Sequence, residues 1–165
     1  MIDTQIQVEQ SPSESTDWRL LRLHGYWVSL CRGGEIPNRK DVKPSGVPRG
    51  VIRYVFLLDV LNNPRDFRFR LAGTAFGEGS GREVTGLSIN EVFPPAYGAK
   101  VLKLWSHAVD AREVLWGSGH VWSEQMSFMP WQGVVMPLRS DDGEVVQLIG
   151  GAVFDIALAK QPKKA

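Results

Sequence analysis

The sequence predicts an α+β domain in which an antiparallel sheet packs against helices grouped apart from it along the chain. Three observations carry this. Apolar residues recur at helical spacing over 17–32 and again over 97–112; a hairpin signal with one apolar face spans 54–71; three further strand-like runs follow with no helix between them. The order is one helix, two strands, short helical turns, one long helix and three strands, so the sheet is five-stranded. At 165 residues, 43% hydrophobic and 22% charged, the chain has room for one core. A domain of that size buries roughly 70% of the surface it exposes when unfolded, enough to enclose a small-molecule cavity.

Residues 1–16, rich in Gln, Ser, Glu and Thr and containing Pro12, read as a flexible lead-in outside the fold. Over 17–32, Leu20, Leu23, Trp27 and Leu30 line one side of a helix and Arg19, Arg22, Tyr26 and Ser29 the other. Thr16 is the expected N-cap, with Asp17 in the first turn, and Gly33-Gly34 is the stop. Gly25 in mid-helix costs about 1 kcal/mol relative to alanine. Residues 33–50, with Pro37, Pro44 and Pro48, form a loop with a short helical turn after Pro44.

A strand over 54–61, turn chemistry at Asn62-Asn63-Pro64-Arg65-Asp66, and Phe67, Phe69 and Leu71 alternating with Arg68 and Arg70 make the hairpin. Gly77, Gly79, Gly81 and Gly86 limit 74–86 to one or two tight helical turns; 88–92 is another, closed by Pro94-Pro95. In the long helix, Tyr97, Val101, Leu104, Trp105 and Ala108 oppose Lys100, Lys103, His107 and Asp110. Strands then follow near 114–121, 134–139 and 144–156, the last two joined by Ser140-Asp141-Asp142-Gly143. In the last strand Val146, Leu148, Gly150, Ala152, Phe154 and Ile156 are expected to face the core, and Gln147 and Asp155 the other side. Pro137 calls for an edge position or a bulge.

Composition excludes several classes of function. Lys+Arg 19 against Asp+Glu 18 gives a net charge of +1, without a basic run beyond Lys160, Lys163 and Lys164, so nucleic acid is not expected as a partner. One cysteine, Cys31, and three scattered histidines build neither an internal disulfide nor a zinc site, and a reducing cytoplasm fits best. Residues 1–16 lack the order of a secretion signal, and no apolar run is long enough to span a membrane. The expected organisation is a flexible segment 1–16, one domain over 17–157 that includes the helix 17–32, and a basic tail 158–165.

Two strands, a helical crossover opened by Gly81-Arg82-Glu83-Val84-Thr85-Gly86-Leu87-Ser88-Ile89, and three strands resemble a PAS domain. Tyr26-Trp27, Gly33-Gly34, Pro37, Arg39, Asp41, Pro44, the run from Phe67 to Thr74, Met136-Pro137-Leu138 and Asp142-Gly143 resemble the alphaproteobacterial family of stand-alone PAS proteins. Over about 18–156, the resemblance implies a five-stranded antiparallel sheet with crossover helices on one face and a possible ligand cavity between them. It implies a bacterial sensory or protein-interaction module, not an enzyme, whose output passes through a regulatory or signalling partner. The first helix resembles the flanking helix that in many PAS proteins packs on the outer sheet face or mediates dimers, and a homodimer is expected.

Each further motif has a plainer reading beside the functional one. The glycines at 73–81 lack the spacing of a dinucleotide loop, since Arg82 stands where a third glycine is needed. His24 and Cys31, seven apart on one helix, are separated by about 10.5 Å of rise and make no thiolate pair; Cys31 reads as a small buried hydrophobe. His107 lies on the helix from which some PAS proteins ligate haem, but its companions place it toward water, and His120 lies near a strand end. Flavin-binding PAS photoreceptors carry a reactive cysteine in the segment that here reads Gly81-Arg82-Glu83-Val84-Thr85, so neither haem nor a flavin adduct is expected. Arg68 and Arg70 read as a solvated sheet face, or Arg70 as a bridge to Asp41 or Glu83.

Six tryptophans weigh more as core than as pocket walls. If a small apolar ligand is bound, Phe69, Leu71, Leu148, Val101, Leu104, Trp105 and Ala108 are the candidate lining, with Trp116 closing one side. The alternatives are an adaptor with a filled core and, with no nucleophile elbow or paired carboxylates to support it, a small enzyme using His107, His120 or a carboxylate as base.

Overall fold

The computed structural model describes residues 5–155. Its elements are β1 (Ile6–Glu9), α1 (Trp18–Leu30), β2 (Val55–Leu61), β3 (Asp66–Ala72), α2 (Thr74–Ser80), α3 (Ile89–Val92), α4 (Pro95–Ala111), β4 (Leu115–His120), β5 (Pro130–Arg139) and β6 (Val145–Val153). They form one antiparallel sheet in the order β1-β4-β5-β6-β2-β3. Buried side chains fall into two clusters. One lies between the sheet and α2, α3 and α4; the other lies between the opposite face and α1 with the loop that follows it. We call these faces inner and outer.

The sheet has six strands rather than the expected five, because β1 lies inside the segment read as a flexible lead-in. Ile6-Gln7-Val8-Glu9 alternates apolar and polar residues, the pattern of a half-buried strand, within surroundings polar enough to mask it. Residues 1–4, the expected strand end at Ile156 and the tail 158–165 lie outside the described residues.

Local chemistry explains the helix ends. Asp17, not Thr16, caps α1: its Oδ1 accepts from the Arg19 amide at 2.8 Å, while the Thr16 hydroxyl oxygen accepts from the Ser13 amide at 2.8 Å. Ser88 and Glu91 form a capping box on α3. Pro95 opens α4 at a position where the missing N–H is harmless, and α2 stops at Gly81, whose φ of 83° is left-handed. On α1, Leu20 and Leu23 are buried as expected, but so is Arg19, expected on the solvent side.

Two bulges correct the side-chain phase. In the β2–β3 pair Leu57 faces Leu71 but Leu58 faces Phe69, so Arg70 is an extra residue and the alternation inverts beyond it. Phe67 and Phe69 are fully buried, whereas Leu71 turns to the outer face and is 48% exposed. A second shift lies between Leu138 and Arg139, opposite Val145 to Gln147; Val145 packs on the inner cluster in place of the expected Val146. Pro137 sits beside that shift and beyond the last β4 partner, Leu115 with Val135, where β5 is paired on one side only. β6 is buried on both faces, with Leu148 and Ala152 inside and Ile149 and Val153 outside. Arg70 reaches Asp59 at 3.4 Å rather than Asp41 or Glu83, and the other Asp59 oxygen accepts from Gln147 Nε2 at 3.0 Å.

Candidate functional site

The inner face carries a row of small residues. Val8, Gly117, Gly133 and Ala152 stand in cross-strand register from β1 through β4 and β5 to β6, so a trough crosses the sheet where side chains would otherwise fill it. The Trp131 indole lies along this trough; a Cβ on Gly119 would sit 3.2 Å from it and 3.0 Å from the Gln5 carbonyl oxygen. In the next row Gly150 admits the Phe56 ring, which a Cβ there would meet at 2.4 Å. Large rings over glycines leave gaps that cannot close. The space left between trough and α4 is a cavity of about 80 Å³, walled by Phe56, Phe76, Phe93, Tyr97, Trp122 and Phe154 among others.

The rings brace one another. Phe93 and Trp122 meet edge to face at 4.7 Å, Phe56 and Phe76 at 5.3 Å, and Trp105 contacts Phe56, Phe67, Phe69 and Phe93 at 5.6–6.2 Å. Polar groups at the wall are already engaged. Trp131 Nε1 donates to the Tyr97 hydroxyl at 2.9 Å and to the His120 carbonyl at 3.1 Å, and that hydroxyl donates to the same carbonyl at 3.2 Å. A molecule in the cavity therefore meets hydrocarbon and ring faces.

Of the expected lining, Val101, Leu104 and Trp105 border the cavity. Phe69, Ala108 and Leu148 are buried in the inner cluster around it. Leu71 is on the other side of the sheet and does not take part. Trp116 borders the cavity, but its ring belongs to the outer cluster, where it meets His24 edge to face at 5.2 Å. The walls that sequence reasoning missed include Ile6 and Val8, excluded with the lead-in, and the rings of Phe56, Phe76, Phe93, Tyr97, Trp122, Trp131 and Phe154. Their signal was aromatic content, which does not say which rings share a space.

A haem or flavin does not fit this arrangement. The cavity is well below the roughly 300–1,000 Å³ of pockets for drug-sized ligands, and neither histidine nor cysteine lines it. His107 is surface-exposed, 3.3 Å from Glu113, and Cys31 lies half-buried at the end of α1, its Sγ 3.6 Å from the Trp27 carbonyl oxygen. Burial pushes the Cys31 thiol up and the His24 imidazole down, so neither tends toward its charged form.

The outer face is polar where α1 meets the end of β6. Arg19 Nη2 pairs with Asp17 at 2.8 Å and Nη1 with Asp155 at 2.9 Å, and its guanidinium lies 4.5 Å from the Tyr54 ring centre. Burial alone would lower the Arg19 pKa; the hydrogen bond and charge of Asp17, with Asp155 and Tyr54, reverse this and hold it above its ordinary value.

Among the described residues no helix is long and apolar enough to cross a membrane, and no group of three or more His, Cys, Asp or Glu side chains could hold a metal. No curated protein matches the sequence. A solved structure described as an RNA-binding light-oxygen-voltage receptor superposes with a TM-score of 0.52 at 12% identity, over 98% of this chain and 42% of that one. The chain thus spans less than half the length of that receptor, and at this identity the likeness is one of fold. The family model described as PAS domain matches residues 16–153, and with the sheet, crossover helices and inner cavity in place the chain belongs to the PAS domain family.

Proposed function

We propose that this domain is a sensory module that takes up a small, uncharged, apolar ligand in the cavity between sheet and α4 and passes the change to a protein partner. The cavity itself carries the reading: about 80 Å³ is several times the room one water needs, and an apolar wall whose polar groups are internally engaged leaves such a space dry. A one-ring aromatic or a short hydrocarbon matches that wall in size and polarity. RNA, named for the structural neighbour, is not proposed here, because a net charge of +1 supplies no electrostatic footprint. A non-catalytic role is supported by a cavity wall that holds neither His107 nor Cys31 and by the raised thiol pKa.

Native mass spectrometry of the purified chain before and after denaturation, with calorimetric titration of benzene and indole, tests the reading. A retained small molecule or saturable benzene binding is expected. Absence of both leaves an adaptor with an empty cavity, and capture of a protein partner with intact ligand-free domain then supports that alternative.

A further inference from the structure

The cavity has one weak wall. Among its lining residues only Val8, 40% exposed, is open to solvent, while Ile6, Leu104, Trp105 and Trp131 beside it are half-buried and the deeper rings are buried. The mouth therefore lies between β1 and α4. α4 is 17 residues long and is anchored by buried Tyr97, Val101, Ala108 and Val109; β1 is 4 residues long and pairs on one side only. Both inward side chains of β1 face glycines, Ile6 opposite Gly119 and Val8 opposite Gly117. No cross-strand side-chain pair reinforces its backbone ladder there. Behind β1 the chain is pinned, since Gln132 Nε2 donates to the Ser15 carbonyl at 3.0 Å and the Asp17 amide donates to Gln132 Oε1 at 2.8 Å. Between pin and strand, residues 10–14 are exposed. β1 also lies outside the span that the family model matches, 16–153, so the rest of the sheet and α4 make up the family fold without it.

We infer that β1 is the gate of the cavity: it peels from β4 about the exposed segment 10–14 to admit a small apolar ligand and pairs again over it. The inference rests on the ligand-binding reading above for its purpose, but not for its test. Peeling exposes Ile6, Val8 and the Trp131 edge while leaving α1, α4 and the remaining strands paired, so it is a local opening and not unfolding. A bound ligand that touches Ile6 and Val8 favours the closed strand, which couples occupancy to the pairing of β1.

The test needs no ligand. In the full chain carrying Cys31→Ser, Val101→Cys places a single thiol in the cavity wall, and its modification by methyl methanethiosulfonate, a small neutral reagent, reports access. Adding Gln7→Pro with Val8→Pro removes a β1 ladder bond whichever of the two amides points to β4. The labelling rate is expected to rise by about tenfold or more with the helical circular dichroism retained. An unchanged rate in a folded variant overturns the gate and places the opening elsewhere. The unaltered protein supplies a second measurement, hydrogen exchange. Amides of residues 6–9 are expected to exchange at least about tenfold faster than the central ladder of β5 and β6, and equal protection overturns the proposal. Saturation with benzene separates the two readings: slowed exchange at 6–9 supports both, whereas fast labelling and exchange without any benzene effect keeps the gate and sinks the ligand.

Discussion

The two faces of the sheet solve the same packing problem in opposite ways. On the outer face, branched and aliphatic side chains from β5 and β6 meet Leu20 and Leu23 of α1, and the buried Arg19 is matched by Asp17 and Asp155. On the inner face, glycines alternate with large rings, and rigid rings do not fill the corners that they leave. The outer face packs under Leu20 and Leu23, gives α1 a fixed attachment, and leaves a polar space at its β1 side beside Ser13, Ser15 and Gln132; the face of rings over glycines keeps an apolar one. On the proposed function, the first side serves stability and the second recognition.

That assignment can be broken most directly at Asp17. Asp17→Ala leaves the Arg19 guanidinium buried beside only the partly exposed Asp155 and removes the α1 cap, and a loss of about 3–5 kcal/mol in urea unfolding is expected. A loss below about 1 kcal/mol would mean that water reaches Arg19 and that the outer face is less filled than described.

The bulge in the hairpin is tested next. Phe69→Ala is expected to cost about 3–5 kcal/mol and Leu71→Ala less than about 1, although both belong to one alternating apolar set in the sequence. Equal losses would place Leu71 inside.

A smaller effect sharpens the contrast in packing. Val153→Ile adds a methylene to the filled outer face and is expected to cost about 1–3 kcal/mol, whereas Val101→Ile adds one beside the cavity and changes stability by less than about 1. Matched melting curves decide it, and equal penalties would show that the inner space is not available to atoms.

The smallest expected effect is a pH slope from His24, whose ring packs against Trp27 and Trp116. Burial lowers its folded pKa below the ordinary value of 6.5, so the unfolded state takes up the proton first. Stability from this group is full above 6.5 and declines as pH falls through and below it. His24→Gln is expected to flatten the stability profile below about pH 6.5. An unchanged slope would assign it to other groups.

Much of the fold was legible because it rests on local periodicity. Leu20 and Leu23, Tyr97 and Val101, and Phe67 and Phe69 fall on buried faces at the spacing that helix and strand geometry dictate, and Gly81 and the Ser88–Glu91 box stop and start helices by short-range chemistry. The site was legible mainly where one helix face supplied it, at Val101, Leu104 and Trp105, with Trp116 of β4 beside them. Leu71 and Val146 were misjudged for related reasons. A bulge changes phase by one residue and leaves no mark in composition, and a strand covered on both faces gives its side chains no polar neighbours to reveal which way they point.

The sequence by itself determined an α+β chain with one amphipathic flanking helix, a crossover and a near-even balance of charge, since these follow from residue type and spacing. Tertiary structure alone decided that Ile6–Glu9 closes the sheet edge and that Gly117 and Gly133 align under Trp131. It also decided that Arg19 is buried between two carboxylates. Each of these depends on which distant segments become neighbours, and pairing across tens of residues is selected by the packing of the whole sheet, not by any stretch within it.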